Sequence, residues 1–322
     1  MPTVATERRK LGRTGPEVFP LGLGCMGMSG IYGAGSDRES LATMEAALDA
    51  GVNLLDTSDF YSKHRNEMLI AKVLRSHRNQ VVLSVKFNAP RAPMGVWLGI
   101  AGRQAALKTA LTSTMKRLGV DFIDIYRLGR LDPDAPIEET LSTLSQLMQA
   151  GYVRHIGLSG MAPEEVRRAA AMCPIVDLQV EYSLVSRGPE AKLFPRLNGL
   201  GVGATVIGVH PRALSSSSEP MPGEEFRARL PRFKSENRDR SRLIGTRLEE
   251  IAGDRGITQA QLAMAWVLAK QSWVVPLMTA RTRAQLAEAL GALEVELTSA
   301  EVAAIEAAIT AKAMAEARTD RE

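Results

Sequence analysis

Three residues of this 322-residue chain have the types and spacing for moving a proton. Asp56 closes the apolar run Val52-Asn-Leu-Leu-Asp56, and Tyr61 follows it by five residues. Lys86 closes a second strand-like run, Val81-Val-Leu-Ser-Val-Lys86. An ammonium beside a phenol lowers the phenol's pKa from its usual value of about 10 and makes it a usable acid. A carboxylate beside the ammonium keeps it charged and in place. Each residue alone is an ordinary strand-end or capping residue. The reading depends on a fold that brings all three to one place.

Such a fold is legible in the alternation of patterns. Strand-type runs occur at 21–26, 52–56, 81–86, 122–128, 155–159, 176–182, 205–209 and 274–278. Helical patterns separate nearly all of them. Ser36 with Glu39, Thr258 with Gln261, and Thr298 with Glu301 read as capping boxes, and Gly51, Gly119 and Gly151 read as helix stops. Eight strands alternating with helices predict a parallel sheet. Without a break in composition, the expected fold is a single (β/α)8 TIM barrel spanning residues 1–322. The Gly-x-Gly-x-x-Gly at Gly22–Gly27 begins within the first strand-type run and does not open a helix after a strand, which argues against a dinucleotide-binding open sheet. In a barrel of this kind the site lies at the C-terminal ends of the strands, where Asp56, Tyr61 and Lys86 all fall. Residues 211–240 break the rhythm with four prolines, a serine run and several arginines, and are expected to form a long loop over that face.

Composition narrows the function classes. The chain is 45% hydrophobic and 24% charged, ordinary for a globular protein with a sizeable core. A net charge of +4 is too small an excess to imply nucleic-acid binding. Two cysteines give neither a disulfide framework nor zinc spacing, which fits a cytoplasmic protein. No run is apolar for long enough to span a bilayer. The four histidines have no metal-site spacing, so no metal is expected. Oligomeric state leaves no mark on the sequence.

The chain resembles the aldo-keto reductase family over nearly its whole length. The resemblance rests on Leu21-Gly-Leu-Gly-Cys-Met-Gly-Met-Ser29, which marks a bacterial subgroup, and on Asp56, Tyr61, Asn66-Glu67 and Lys86. It rests also on Lys116-Arg-Leu-Gly-Val-Asp-Phe-Ile-Asp-Ile-Tyr126, Gly151-Tyr-Val-Arg-His-Ile-Gly-Leu-Ser159, Gln179-Val-Glu-Tyr-Ser183 and Gly291-Ala-Leu293. The resemblance implies hydride transfer between NADPH and the carbonyl of a small-molecule aldehyde or ketone. It makes Tyr61 the proton donor, with Lys86 and Asp56 as its tuners. It sets Met26, Ser159, Gln179 and Tyr182 along the cofactor, and Arg281, Gln285, Arg212 and His210 near its phosphates. Met26 reads equally as a core residue. Trp97, Gly129, Arg130 and His64 are expected to border the substrate, with loop packing the alternative for Trp97 and a solvated loop position the alternative for His64.

The family pattern is also broken in places. The strand that would carry an orienting histidine reads Leu128-Gly129-Arg130, so that part of the pocket is expected to be wide and wet. The cofactor loop reads Gly208-Val-His-Pro-Arg-Ala213, and the adenosine-side segment Met278-Thr-Ala-Arg281-Thr-Arg283. Two alternatives therefore stand beside the reductase. One is an enzyme that keeps the acid and base but has dropped hydride transfer, a dehydratase, cyclase or isomerase. The other is a binding protein built on the barrel.

Overall fold

The structure is a computed structural model, and it describes residues 7–30, 36–88, 99–130, 136–209 and 235–309. Its first two strands, β1 (Arg9–Lys10) and β2 (Glu17–Val18), form an antiparallel hairpin that the sequence reading had taken as a polar start. Eight parallel strands follow. They are β3 (Gly22–Gly24), β4 (Leu54–Ser58), β5 (Val82–Asn88), β6 (Ile123–Arg130), β7 (Val153–Ser159), β8 (Ile175–Glu181), β9 (Gly203–Ile207) and β10 (Val274–Met278). Each pairs with the next, and β10 closes the barrel on β3 through Leu277 opposite Gly22 and Met278 opposite Leu23. All eight strands fall where the sequence pattern put them, within a few residues at either end.

The barrel interior is layered. At its N-terminal end Leu54, Ile125, Val176, Val275 and Leu277 pack with Leu11 and Val18 of the hairpin into one buried cluster. The hairpin is thus a plug. Its Arg9 guanidinium donates to the carbonyls of Gln271 and Leu268, both at 3.1 Å, and to that of Val274. Gly12 lets the plug seat: a Cβ there would lie 2.3 Å from the Val176 carbonyl oxygen, and its φ is +61°. Truncating a leucine of this layer to alanine should cost about 2–5 kcal/mol, because the closed cylinder has little room to collapse. Two residues further along the strands the interior turns polar, as side chains alternate in and out with a period of two.

Helices cover the outside. Thr258 with Gln261 and Thr298 with Glu301 form both halves of the expected capping boxes. Ser36 forms one half only: its hydroxyl accepts from the Glu39 amide at 3.3 Å. The Glu39 carboxylate instead accepts from the Arg283 amide at 3.0 Å, across the barrel closure. The segment expected to stay irregular to residue 240 is helical from Ser235, in the helix Ser235–Gly253. Among the described residues, no helix is long and apolar enough to cross a membrane.

Candidate active site

The C-terminal rim gathers the candidate residues around Asp56. Its position at the inward face of β4 follows from Leu54, two residues earlier, pointing into the apolar layer. Lys86 reaches in from β5 and places Nζ 3.2 Å from Asp56 Oδ1. Lys86 also donates to the Gln179 side-chain oxygen, and Gln179 Nε2 donates to Asp56 Oδ2 at 3.0 Å. Ser84 donates to the same Oδ2 at 3.0 Å. Asp56, Lys86 and Gln179 are all buried.

Tyr61 opens the turn Tyr61–His64 after β4 and is buried, with the Lys86 ammonium 5.9 Å from its ring centroid. The turn is unusual. Ser62, Lys63 and His64 have φ of +48°, +51° and +70°, three successive side-chain-bearing residues in the left-handed region. Each such residue costs about 1–2 kcal/mol, so tertiary contacts must impose the conformation. Ser62 Oγ donates to the Ser29 carbonyl at 2.8 Å. Asn66 Nδ2 donates to the Cys25 carbonyl at 2.8 Å, and Asn66 Oδ1 accepts from Thr57 at 2.5 Å. Fully buried Glu67 accepts from Arg117 and lies 3.3 Å from His64 Nδ1. These contacts hold the turn, and with it Tyr61, against the turn Cys25–Ser29.

Beneath Asp56 lies a charged layer that the sequence reading missed. The fully buried Arg127 of β6 donates from Nη1 to Asp56 Oδ2 at 2.6 Å and from Nη2 to Asp177 Oδ2 at 2.6 Å. It also donates to Ser84, and lies 3.3 Å from Thr205 Oγ1. Thr205 donates to Asp177 at 2.7 Å. The signal was present: one arginine and one aspartate each interrupt an apolar parallel strand, and buried opposite charges pair. Without Cβ at Gly157 the guanidinium fits. A Cβ there would lie 2.7 Å from Asp177 Oδ1 and 3.3 Å from Arg127 Nε.

The charges tune one another. Burial raises the Asp56 carboxyl, but Lys86 and Arg127 outweigh it and hold the pKa below the usual carboxylate value. Burial pushes the Lys86 ammonium below the usual lysine range; Asp56 opposes this and Arg127 adds to it. Burial, with Glu67 adding to it, raises the Asp59 carboxyl to about 6.

Other expected site residues are placed as follows. Ser159 pairs in register with Gln179 at the same rim, and Met26 is partly exposed on the turn Cys25–Ser29. Tyr182 does not face the rim. It is fully buried against Phe194 and Trp266, and its hydroxyl donates to Glu190 at 2.7 Å. Gln285 accepts from the Arg281 amide at 2.9 Å and so caps the helix Arg283–Leu290. His64 is turned onto Glu67. At Gly129 a Cβ would lie 3.1 Å from Asn88 Oδ1, 3.1 Å from the Phe87 carbonyl oxygen and 3.4 Å from Lys86 Cγ. The register shifts here, since Phe87 pairs with Leu128 but Asn88 with Arg130. Arg130 is described by its backbone alone, and Trp97, His210 and Arg212 lie outside the described residues.

A closed parallel barrel with ionisable side chains converging at its C-terminal rim defines an enzyme-type α/β barrel. The chain belongs to the Aldo/keto reductase family, whose sequence model it matches over residues 20–310. Its fold is similar to the crystal structure of a thermostable aldo-keto reductase, Tm1743, in complex with the inhibitor epalrestat. That likeness has a TM-score of 0.75 at 28% identity and covers 94% of this chain and 100% of the other.

Proposed function

We propose that the protein is an NADPH-dependent oxidoreductase that reduces an aldehyde or ketone, with Tyr61 as the proton donor. The observation that carries this is the placement of the Lys86 ammonium, 3.2 Å from Asp56 and 5.9 Å from the centre of the Tyr61 ring. Lys86 favours loss of the Tyr61 proton to a carbonyl oxygen by stabilising the phenolate left behind. Asp56 keeps Lys86 aimed, and Arg127 and Ser84 keep Asp56 ionised and fixed.

The residues present suit a phosphorylated dinucleotide. Ser159 and Gln179 lie at adjacent strand ends beside Lys86. Gly160, next in the chain, has φ +62° and nothing within 4 Å of where a Cβ would stand, leaving a face that a flat ring can approach. Partly exposed Arg281 stands at the start of the helix Arg283–Leu290, where a phosphate is favoured. Gln285 stands beside Arg281 on that helix, while His210 and Arg212, which the resemblance assigns to the phosphates, lie outside the described residues. When bound, the cofactor supplies a hydride to the carbonyl carbon.

A second reading, acid–base catalysis by Tyr61 and Lys86 without hydride transfer, draws on one observation. Arg283 is already ion-paired with Glu39, at 3.1 Å, and brings less charge to a phosphate. Titration of the protein with NADPH, followed by nicotinamide fluorescence, separates the two. Micromolar binding and turnover of members of an aldehyde and ketone panel are expected. Absence of binding at millimolar NADPH would sink the reductase reading.

A further inference from the structure

The family's orienting histidine has no counterpart at Gly129, yet another side chain with hydrogen-bond donors stands close beside that glycine. On β5, Lys86 points into the barrel towards Asp56. Phe87 points outward and stacks on Tyr126 with ring centroids 4.1 Å apart. Asn88, two residues after Lys86, therefore points inward again, one layer nearer the mouth. Its exposure agrees: Lys86 is buried and Asn88 is exposed. The Asn88 carboxamide oxygen stands 3.1 Å from where a Cβ of residue 129 would be, and Lys86 Cγ stands 3.4 Å from the same point. A side chain at 129 would thus emerge between Lys86 and Asn88, and the Asn88 amide occupies its exit.

We propose that Asn88 supplies from β5 the hydrogen-bond donor that a histidine at position 129 would have supplied from β6, holding the substrate's carbonyl oxygen where Tyr61 delivers its proton. This rests on the carbonyl-reductase reading above. A carboxamide is chemically suited to the task. It has two N–H donors, stays neutral across the working pH range and does not compete with Tyr61 as an acid. Asn88 ends β5 and is exposed, so its amide can reach a ligand entering from that end of the barrel. The reaction keeps its balance: hydride adds to the carbonyl carbon, the Tyr61 proton to the oxygen, and Asn88 neither gains nor loses a proton. The glycine is then explained too. With asparagine at 88 in this register, a larger residue at 129 would collide with it.

The test compares wild type, Asn88→Ala, Gly129→His and the double variant, using the panel carbonyl compound that wild type reduces fastest. Asn88→Ala should lower kcat by about 10²-fold, the usual effect of removing one oxyanion donor, with a smaller change in KM. NADPH affinity and thermal midpoint should stay at wild-type values, because Asn88 is exposed and makes none of the hydrogen bonds that hold Asp56. Gly129→His alone should give no gain. Added to Asn88→Ala, it should recover less than about tenfold, since a Cβ at 129 would still lie 3.1 Å from the Phe87 carbonyl oxygen. Infrared spectra of a ¹³C=O-labelled carbonyl compound bound with NADP⁺ should show the carbonyl stretch lowered by wild type and less so by Asn88→Ala. A wild-type kcat in Asn88→Ala, or an unchanged stretch, overturns the role of Asn88 and leaves the reductase reading standing. A wild type that reduces no carbonyl compound overturns both.

Discussion

Replacing Arg127 by leucine should damage this barrel more than most single changes would. The guanidinium is fully buried and bridges two carboxylates, Asp56 and Asp177, each at 2.6 Å. Its removal leaves Asp177 in the interior with the Thr205 hydroxyl at 2.7 Å and, as a cation, only the more weakly coupled Lys86, which is already bonded to Asp56. Breaking one partner out of a buried pair costs about 3–5 kcal/mol, mostly because the charge left behind is unpaired. Asp56 keeps Lys86, Ser84 and Gln179, so the loss should sit at the lower end for that carboxylate. Equilibrium urea unfolding at pH 7 should show Arg127→Leu destabilised by about 3–5 kcal/mol, and Arg127→Leu with Asp177→Leu recovering most of it, as replaced buried pairs do. The site should respond as well. Arg127 is one of the charges that depress the Lys86 ammonium, so without it the Lys86 pKa rises. The alkaline limb of the kcat/KM profile should then move to higher pH. A single variant within about 1 kcal/mol of wild type, or a double variant as unstable as the single, would refute the idea that the pair is a mutually dependent unit.

Two further outcomes follow from the same network and its rim. Asp59 has its carboxyl raised to about 6, so the folded state favours the protonated form; its contribution is full below the unfolded value of about 3.9 and lost as pH climbs towards 6. Asp59→Asn should therefore raise stability by about 1–3 kcal/mol at pH 8 and by almost nothing at pH 4, and equal gains at both pH values would count against it. Lys63 is exposed and left-handed at φ +51°; Lys63→Gly should raise the thermal midpoint by the equivalent of about 0.5–1 kcal/mol, net of the glycine's greater freedom when unfolded, and a lowered midpoint would contradict the strain argument.

The barrel was readable because parallel strands buried on both faces announce themselves as apolar runs, and the helix ends between them carry glycines and capping pairs. The hairpin was not, since Arg9–Lys10 and Glu17–Val18 are too short for any period and matter only through where Leu11 and Val18 lodge. Asp56 and Lys86 were found because each closes an apolar run of the sequence, although β4 and β5 continue two residues beyond them, and Gln179 through the family resemblance. Arg127 and Asp177 were passed over as strand residues, although two opposite charges inside apolar runs called for a shared partner. The neighbours of Gly129 were not legible for a different reason: only the register of β5 against β6 brings Asn88 beside it. Glu39 was half right: its sequence spacing marks a cap, but its carboxylate goes to Arg283, a partner 244 positions away. The packing of Tyr182 on Phe194 and Trp266 was not legible, because it lies just past the end of β8, where strand alternation no longer says which way a side chain turns.

In the proposed reaction Tyr61 gives a proton to a carbonyl while a hydride arrives beside it. The most direct measurement uses NADPH deuterated at the nicotinamide C4 position and the best-turned-over carbonyl compound. Mass spectrometry of the product should show deuterium on the carbinol carbon with wild type and a rate about 10²- to 10⁴-fold lower with Tyr61→Phe, with NADPH still bound. A product free of deuterium, or a Tyr61→Phe variant as fast as wild type, would contradict it.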